Sequence, residues 1–206
     1  MIGILRMPIC NLQSVWNAVY EQLGLDPVMV DAGSNTDDLT HLIVPGVGNF
    51  RAVMRHLKEQ GLADRIRGFA GTGRPLLGIC AGMQLLATSG TEGGETEGLG
   101  LVPGKVLRLP EDAGFRLPHV GWNTVTVRHP HPVLDGLKPN RDFYFVHSYT
   151  MLTDDEADWL AESDYNRPFA CIVGRGNVIG FQFHPEKSQV NGLRLLENFC
   201  HWDGKC

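Results

Sequence analysis

An apolar run from Pro75 to Ile79 ends in Gly78-Ile79-Cys80-Ala81-Gly82 and passes directly into a helical pattern beginning at Met83. This is the strand–nucleophile–helix layout of a G-x-S-x-G elbow, with a thiol in place of the hydroxyl. The rest of the first half has the texture such an elbow needs. Ile2–Leu5, Val28–Val30, Leu42–Val44 and Leu76–Ile79 read as strands, and Leu12–Leu23, Phe50–Leu57 and Leu62–Phe69 as helices. That alternation predicts an α/β fold, an open and mostly parallel sheet with helices on both faces. Gly90 to Gly100, rich in glycine and acid, reads as a surface loop. Beyond it the chain turns β-rich, with short strands at Lys105–Leu107, Thr124–Val127, Phe143–Tyr149, Cys171–Val173 and Val178–Phe183. A last helix is expected over Val190–Phe199, with apolar residues at 190, 193, 195, 196 and 199. With no internal repeat and no linker, residues 1–206 are expected to form a single domain.

A formal charge of -5 argues against a nucleic-acid footprint. No apolar run approaches the ~20 residues needed to cross a bilayer, so no membrane partner is expected. Met1 to Leu5 is cut off by Arg6 and Pro8 and is too short for a signal-peptide core. The five cysteines, at 10, 80, 171, 200 and 206, are odd in number and include no C-x-x-C pair, which fits a reducing cytoplasm. No cofactor or metal is called for. A zinc site from Cys80, His184 and Glu186 lacks any local ligand pair.

Three segments carry candidate chemistry. Cys80 stands at a helix start, where unpaired amides favour thiolate, between glycines that allow a strained turn and close approach of a substrate. The other four cysteines have no such context. His184 and Glu186 follow an apolar run, two residues apart, so on an extended segment both point to one side and the carboxylate can orient the imidazole. Most of the eight histidines are expected to be structural; the acid at i+2 sets His184 apart. Pro45-Gly46-Val47-Gly48, after another strand, reads either as an ordinary turn or as an oxyanion donor, with the Ala81 amide as the second donor.

Together these residues resemble the class I (triad) glutamine amidotransferases, through Pro-Gly-x-Gly at 45–48, Gly-Ile-Cys-Ala-Gly-Met-Gln at 78–84 and Gln-Phe-His-Pro-Glu-Lys at 182–187. Leu117-Pro118-His119-Val120-Gly121-Trp122-Asn123 and Tyr144-Phe145-Val146-His147-Ser148-Tyr149 are similar to segments of the glutaminase subunits of imidazole glycerol phosphate synthase, from histidine biosynthesis. The resemblance covers essentially the whole chain. It implies Cys80 as nucleophile on the carboxamide of L-glutamine, His184 as the base and Glu186 as its orienting acid. Val47, Gly48 and Ala81 are implied in the oxyanion hole, and Gly46, Gln84, Glu92, Ser148 and Tyr149 in substrate binding, Glu92 near the α-ammonium. Asn11, Trp122, Asn123, Tyr144 and Lys187 are implied at the interface with a (β/α)8-barrel cyclase subunit, the two chains forming a heterodimer. This chain has no second domain to hold the ammonia acceptor, so that acceptor is expected on another chain.

The sequence departs from the resemblance at Leu5-Arg6-Met7-Pro8-Ile9-Cys10-Asn11, where many relatives carry an Asp-Tyr-Gly-type turn before the asparagine. Competing readings are a paralogous amidotransferase feeding another synthase, such as one in surface-sugar amidination, a cysteine peptidase on the same scaffold, and a non-catalytic scaffold subunit. Gly46 and Gly48 also leave the Val47 peptide free to rotate, so the oxyanion hole is expected to form only when a partner docks.

Overall fold

The computed structural model describes residues 1–7, 11–111, 115–137 and 141–206. Residues 8–10, in the segment that departs from the resemblance, lie outside the described residues. The strands are β1 (Ile2–Leu5), β2 (Pro27–Val30), β3 (His41–Gly46), β4 (Leu76–Cys80), β5 (Ser89–Gly90), β6 (Thr96–Glu97), β7 (Gly104–Arg108), β8 (His119–Thr124), β9 (Thr126–Val127), β10 (Asp142–His147), β11 (Tyr149–Thr153), β12 (Trp159–Asp164), β13 (Pro168–Arg175) and β14 (Val178–Phe181). The α-helices are α1 (Leu12–Asn17), α2 (Phe50–Glu59), α3 (Leu62–Gly71), α4 (Ala81–Leu85) and α5 (Gln189–His201).

One sheet runs β2-β1-β3-β4-β14-β13-β11-β7-β5-β6, parallel from β2 through β14 and antiparallel from β14 through β7. The central strands are buried on both faces, and their side chains alternate between two cores. Ile43 of β3 and Leu77 and Ile79 of β4 face the core that holds Val15 of α1 and Leu195, Leu196 and Phe199 of α5. Leu42, Val44 and Leu76 face the other core, with Phe50, Met54 and Leu57 of α2 and Ile66 and Phe69 of α3. Helices therefore cover both faces of the α/β sheet, as the alternation predicts.

Several boundaries differ from the sequence expectation. The helix over 12–23 is α-helical only to Asn17 and continues as a π-helical turn, Ala18–Gln22. Val190 belongs to α5 but is 58% exposed, outside the apolar stripe. The expected strand Phe143–Tyr149 is two strands that part at Ser148, and Thr124–Val127 is split between β8 and β9. The acidic loop contains the short pair β5–β6. The strand expected to reach Phe183 ends at Phe181, so the chain bends before His184.

β8 and β10 form a separate antiparallel ribbon. Its inward side chains, Phe143 and Phe145, meet Phe183 at ring-centroid distances of 4.1 and 5.6 Å. The His184 amide then donates to the Tyr144 carbonyl at 2.9 Å. Aromatic burial thus fixes the chain leading to His184 against the ribbon.

The fold also buries neutral histidines. His131 accepts a hydrogen bond from the Val133 amide at 3.2 Å, and burial pushes its pKa down to about 4. Burial lowers His119 to about 4 and His147 to about 3. As pH falls below about 6.5 the unfolded chain takes up protons that the folded chain refuses, so stability falls with pH down to about 4. Each of the three contributes up to about 1.4 kcal/mol per pH unit in that window. Urea unfolding between pH 7.5 and 4.5 checks this, and His131→Asn is expected to flatten the slope.

Candidate active site

The elbow forms where β4 gives way to α4. Cys80 carries the strain itself, with φ 55° and ψ -111°, a backbone region that a non-glycine residue occupies only when its surroundings impose it. The flanking glycines act differently from the sequence expectation, since neither needs a positive φ. They allow close packing. A Cβ on Gly78 would lie 2.6 Å from the Gly82 carbonyl oxygen, and one on Gly82 only 1.8 Å from that of Val44. A Cβ on Gly46 would meet the Gly82 nitrogen at 2.7 Å. Gly82→Ala is therefore expected to cost about 3 kcal/mol or more of stability, read from its denaturation midpoint.

Because β3 pairs with β4 in a register that sets Gly46 opposite Cys80, the Val47–Gly48 turn stands next to the sulfur. Both turn residues line a cavity of about 360 Å³ together with Cys80, Ala81, Gln84, Glu92, Ser148, Tyr149 and His184. Gly46 does not line it. It borders a smaller recess behind, shared with Asn11, His184 and Glu186, and its close approach to Gly82 makes it a packing residue of the elbow. The conformational freedom of the turn rests with Gly48, at φ 109°, where a Cβ would make only an ordinary contact with Val53 Cγ2 at 4.0 Å.

His184 and Glu186 do not sit on one extended segment. His184 precedes a 3-10 turn, Pro185–Lys187, and this turn brings the carboxylate back to the ring. His184 Nδ1 donates to Glu186 Oε1 at 2.8 Å, with both side chains almost fully buried. Nδ1 therefore carries a proton, and Nε2 is left as the working nitrogen. Among the described residues no partner completes a well-formed hydrogen bond to the buried Nε2, so its link to the sulfur is chiefly one of charge proximity. Burial opposes a charged ring, but interaction with Cys80 and with Glu186 outweighs it and raises the His184 pKa to about 10. Among the described residues the hydrogen-bond contacts of Cys80 Sγ are long, to the Val146 carbonyl at 3.8 Å and from Gln182 Nε2 at 4.0 Å. A weakly engaged sulfur beside an oriented, proton-holding imidazole suits nucleophilic attack on a carbonyl.

The substrate-binding candidates are held from several elements. Gln84, one turn beyond Cys80, donates to the Tyr149 carbonyl at 2.9 Å and to Gln182 Oε1 at 3.0 Å. Glu92 reaches the start of α2, where its Oε2 accepts from the Phe50 amide at 2.8 Å, and its residue also borders the cavity. Gln182 and Ser188 are absent from the sequence expectation. Ser188 Oγ donates to the His184 carbonyl at 2.6 Å and accepts from the Tyr144 amide at 3.0 Å, tying the histidine turn to β10. Gln182 could have been found from its place two residues before His184; nothing in the sequence marks Ser188.

The interface candidates on the ribbon divide between its two sides, while Asn11 precedes α1 and Lys187 lies in the turn after His184. Val120 and Trp122 are 55% and 50% exposed on its outer side. Tyr144 stands opposite Trp122 at 6.0 Å, and Lys187 Nζ lies 5.7 Å from the Tyr144 ring centre. Asn11 is exposed. Asn123 points to the other side of β8, where its Nδ2 donates to the Asp164 carbonyl at 2.7 Å. Among the described residues no cluster of three or more acidic, histidine or cysteine side chains could hold a metal ion.

The profile of the glutamine amidotransferase class-I family matches residues 17–202. Proteins described as imidazole glycerol phosphate synthase subunit HisH are similar over nearly the full length. That of Desulfitobacterium hafniense (strain DSM 10664 / DCB-2) is 44% identical across 98% of this chain and 94% of its own. That of Sulfurimonas denitrificans is 43% identical across 97% of both chains. Among solved structures, a glutamine amidotransferase superposes with a TM-score of 0.73 at 24% identity over 97% of each chain. PurLQS from Thermotoga maritima superposes with a TM-score of 0.73 at 20% identity over 97% of each chain. With the elbow, the paired histidine and carboxylate and these relatives in hand, the chain belongs to the class-I glutamine amidotransferases and, within them, to the HisH subunits of imidazole glycerol phosphate synthase.

Proposed function

We propose that Cys80, His184 and Glu186 perform the glutamine hydrolysis that this family membership assigns to the chain, and that the ammonia passes to a (β/α)8-barrel cyclase subunit docked on it as a heterodimer. The observation that carries the residue roles is the meeting of Cys80 with the oriented His184–Glu186 pair on one cavity wall. His184 Nε2 holds the proton given up by the thiol, and the sulfur attacks the carboxamide carbon of L-glutamine. The tetrahedral oxygen is held by amides of the Val47–Gly48 turn and Ala81. Collapse breaks the C–N bond as the imidazolium protonates the departing ammonia, leaving a γ-glutamyl thioester. Water, deprotonated by His184, hydrolyses the thioester to glutamate and frees the thiol. Glu92 suits the α-ammonium, while Ser148 and Tyr149 suit the other end of the substrate.

The cyclase reading is supported by the exposed apolar group of Val120 and Trp122 with Tyr144 and Lys187 beside it. It lies on the ribbon whose Val146 also borders the cavity, so docking there reaches the site. The cyclase would use the ammonia on a phosphoribosyl-formimino carboxamide ribonucleotide, giving imidazole glycerol phosphate and an aminoimidazole carboxamide ribotide. Residues 1–206 read as a single amidotransferase domain, since one sheet draws strands from both halves. Cytoplasmic residence fits the four described cysteines, all unpaired.

A glutamine analogue bearing a diazo ketone at the amide position tests the assignment. Mass spectrometry is expected to find the adduct on Cys80 alone, suppressed by excess glutamine. Labelling spread over Cys171, Cys200 and Cys206, or none at Cys80, contradicts it.

A further inference from the structure

His119 and His147 stand directly opposite one another on β8 and β10, both buried, and no step of the chemistry above uses them. Their hydrogen bonds have only one consistent direction. The Tyr149 carbonyl, 2.9 Å from His147 Nδ1, can only accept, so that nitrogen carries the proton. His147 is surrounded by His119, by the Phe145 and Phe169 rings and by the charge of His184, with no carboxylate bonded to it among the described residues. His119 is enclosed by the same two rings, the Tyr165 ring and Asn123. Both imidazoles are therefore neutral, and His147 Nε2 is an acceptor. His119 Nδ1, 3.0 Å away, must donate to it. His119 Nε2 is then the acceptor facing Asn123 Nδ2 at 3.4 Å.

His147 itself borders the cavity, and so does the far end of this hydrogen-bond path, at Gln84. The Tyr149 carbonyl takes its second hydrogen bond from Gln84 Nε2, whose remaining N–H goes to Gln182 Oε1. Gln84 thus spends both amide hydrogens inside the protein. Only its Oε1 remains for a ligand, and the orientation of the amide follows from the network.

Resting on the reading that this cavity takes glutamine, we propose that His119 and His147 are positioning residues of the glutaminase. Through the Tyr149 carbonyl they hold Gln84 so that its Oε1 accepts a hydrogen bond from an N–H group of the substrate. Without the His147 donor the carbonyl is held from one side only, and Gln84 can turn its NH₂ toward the pocket, where it meets the substrate's own donors.

The test is steady-state glutaminase kinetics with the cyclase subunit and its nucleotide present. His147→Leu removes the donor to Tyr149, whereas His147→Asn keeps an N–H near the Nδ1 position. His147→Leu is expected to raise KM for glutamine about tenfold, with a smaller change in kcat, and His147→Asn to restore most of KM. His119→Leu and His119→Asn are expected to show the same contrast more weakly, and they decide the matter if His147→Leu does not fold. Equal KM changes in the Leu and Asn variants at both positions, or no change in any of them, overturn the proposal. Wild-type protein that turns over no glutamine would instead remove the glutaminase reading beneath it.

Discussion

Cys80→Ala is expected to reduce glutamate release by at least about 10⁴-fold while leaving the fold intact, since no other group can form the thioester. Among the described residues the sulfur's hydrogen-bond contacts are long, at 3.8 and 4.0 Å, so its loss removes no strong structural bond there. Alanine also keeps a Cβ at the strained backbone position. What remains in the variant is a cavity that binds glutamine and a His184 with no thiol to deprotonate. Coupled-assay rates together with a thermal melt check both halves of this expectation. A variant within tenfold of wild type would mean that the hydrolysis proceeds without a covalent intermediate.

The isolated chain is expected to hydrolyse glutamine about 10²- to 10³-fold more slowly than the chain bound to cyclase and nucleotide, the effect of one missing oxyanion donor. The physical basis is Gly48. Gly46 is pinned against Gly82, with a Cβ there only 2.7 Å from the Gly82 nitrogen. A Cβ on Gly48, at φ 109°, would first meet Val53 Cγ2 at 4.0 Å, so the peptide it shares with Val47 is the one able to reorient. The exposed Trp122 and the half-buried Tyr144 lie on the ribbon that also supplies Val146 to the cavity, so a docked partner can act on the same region. Initial rates of glutamate formation with and without the partner measure the ratio. A ratio near one would show the hole complete in the free subunit.

The parts of the site most legible in the sequence are those enforced locally. The elbow announces itself because Gly78 and Gly82 leave room that any Cβ would fill, and Glu186 lies two residues from His184 because one short turn must close the pair. The parallel half of the sheet was equally plain, since strands buried on both faces read as continuous apolar runs. The internal hydrogen-bond network was not legible. Gln84 and Gln182 are 98 residues apart, and His119 and His147 meet only through the register of β8 with β10. The alternation of side chains along β8 turns Asn123 away from Trp122, a distinction that the resemblance itself does not carry. The break at Ser148 was hidden because both flanking segments are β-formers; only the sheet shows that β10 pairs with β8 and β11 with β7.

The central claim is that glutamine hydrolysis at Cys80 supplies a docked cyclase, and glutamine labelled with ¹⁵N at its amide tests it most directly. The labelled substrate is given to the two subunits together with the ribonucleotide and excess unlabelled ammonium, and the imidazole product is analysed by mass spectrometry. Near-complete ¹⁵N in the product, lost in Cys80→Ala, is the predicted result. Product carrying the isotopic composition of the bulk ammonium while wild-type Cys80 turns over would contradict it.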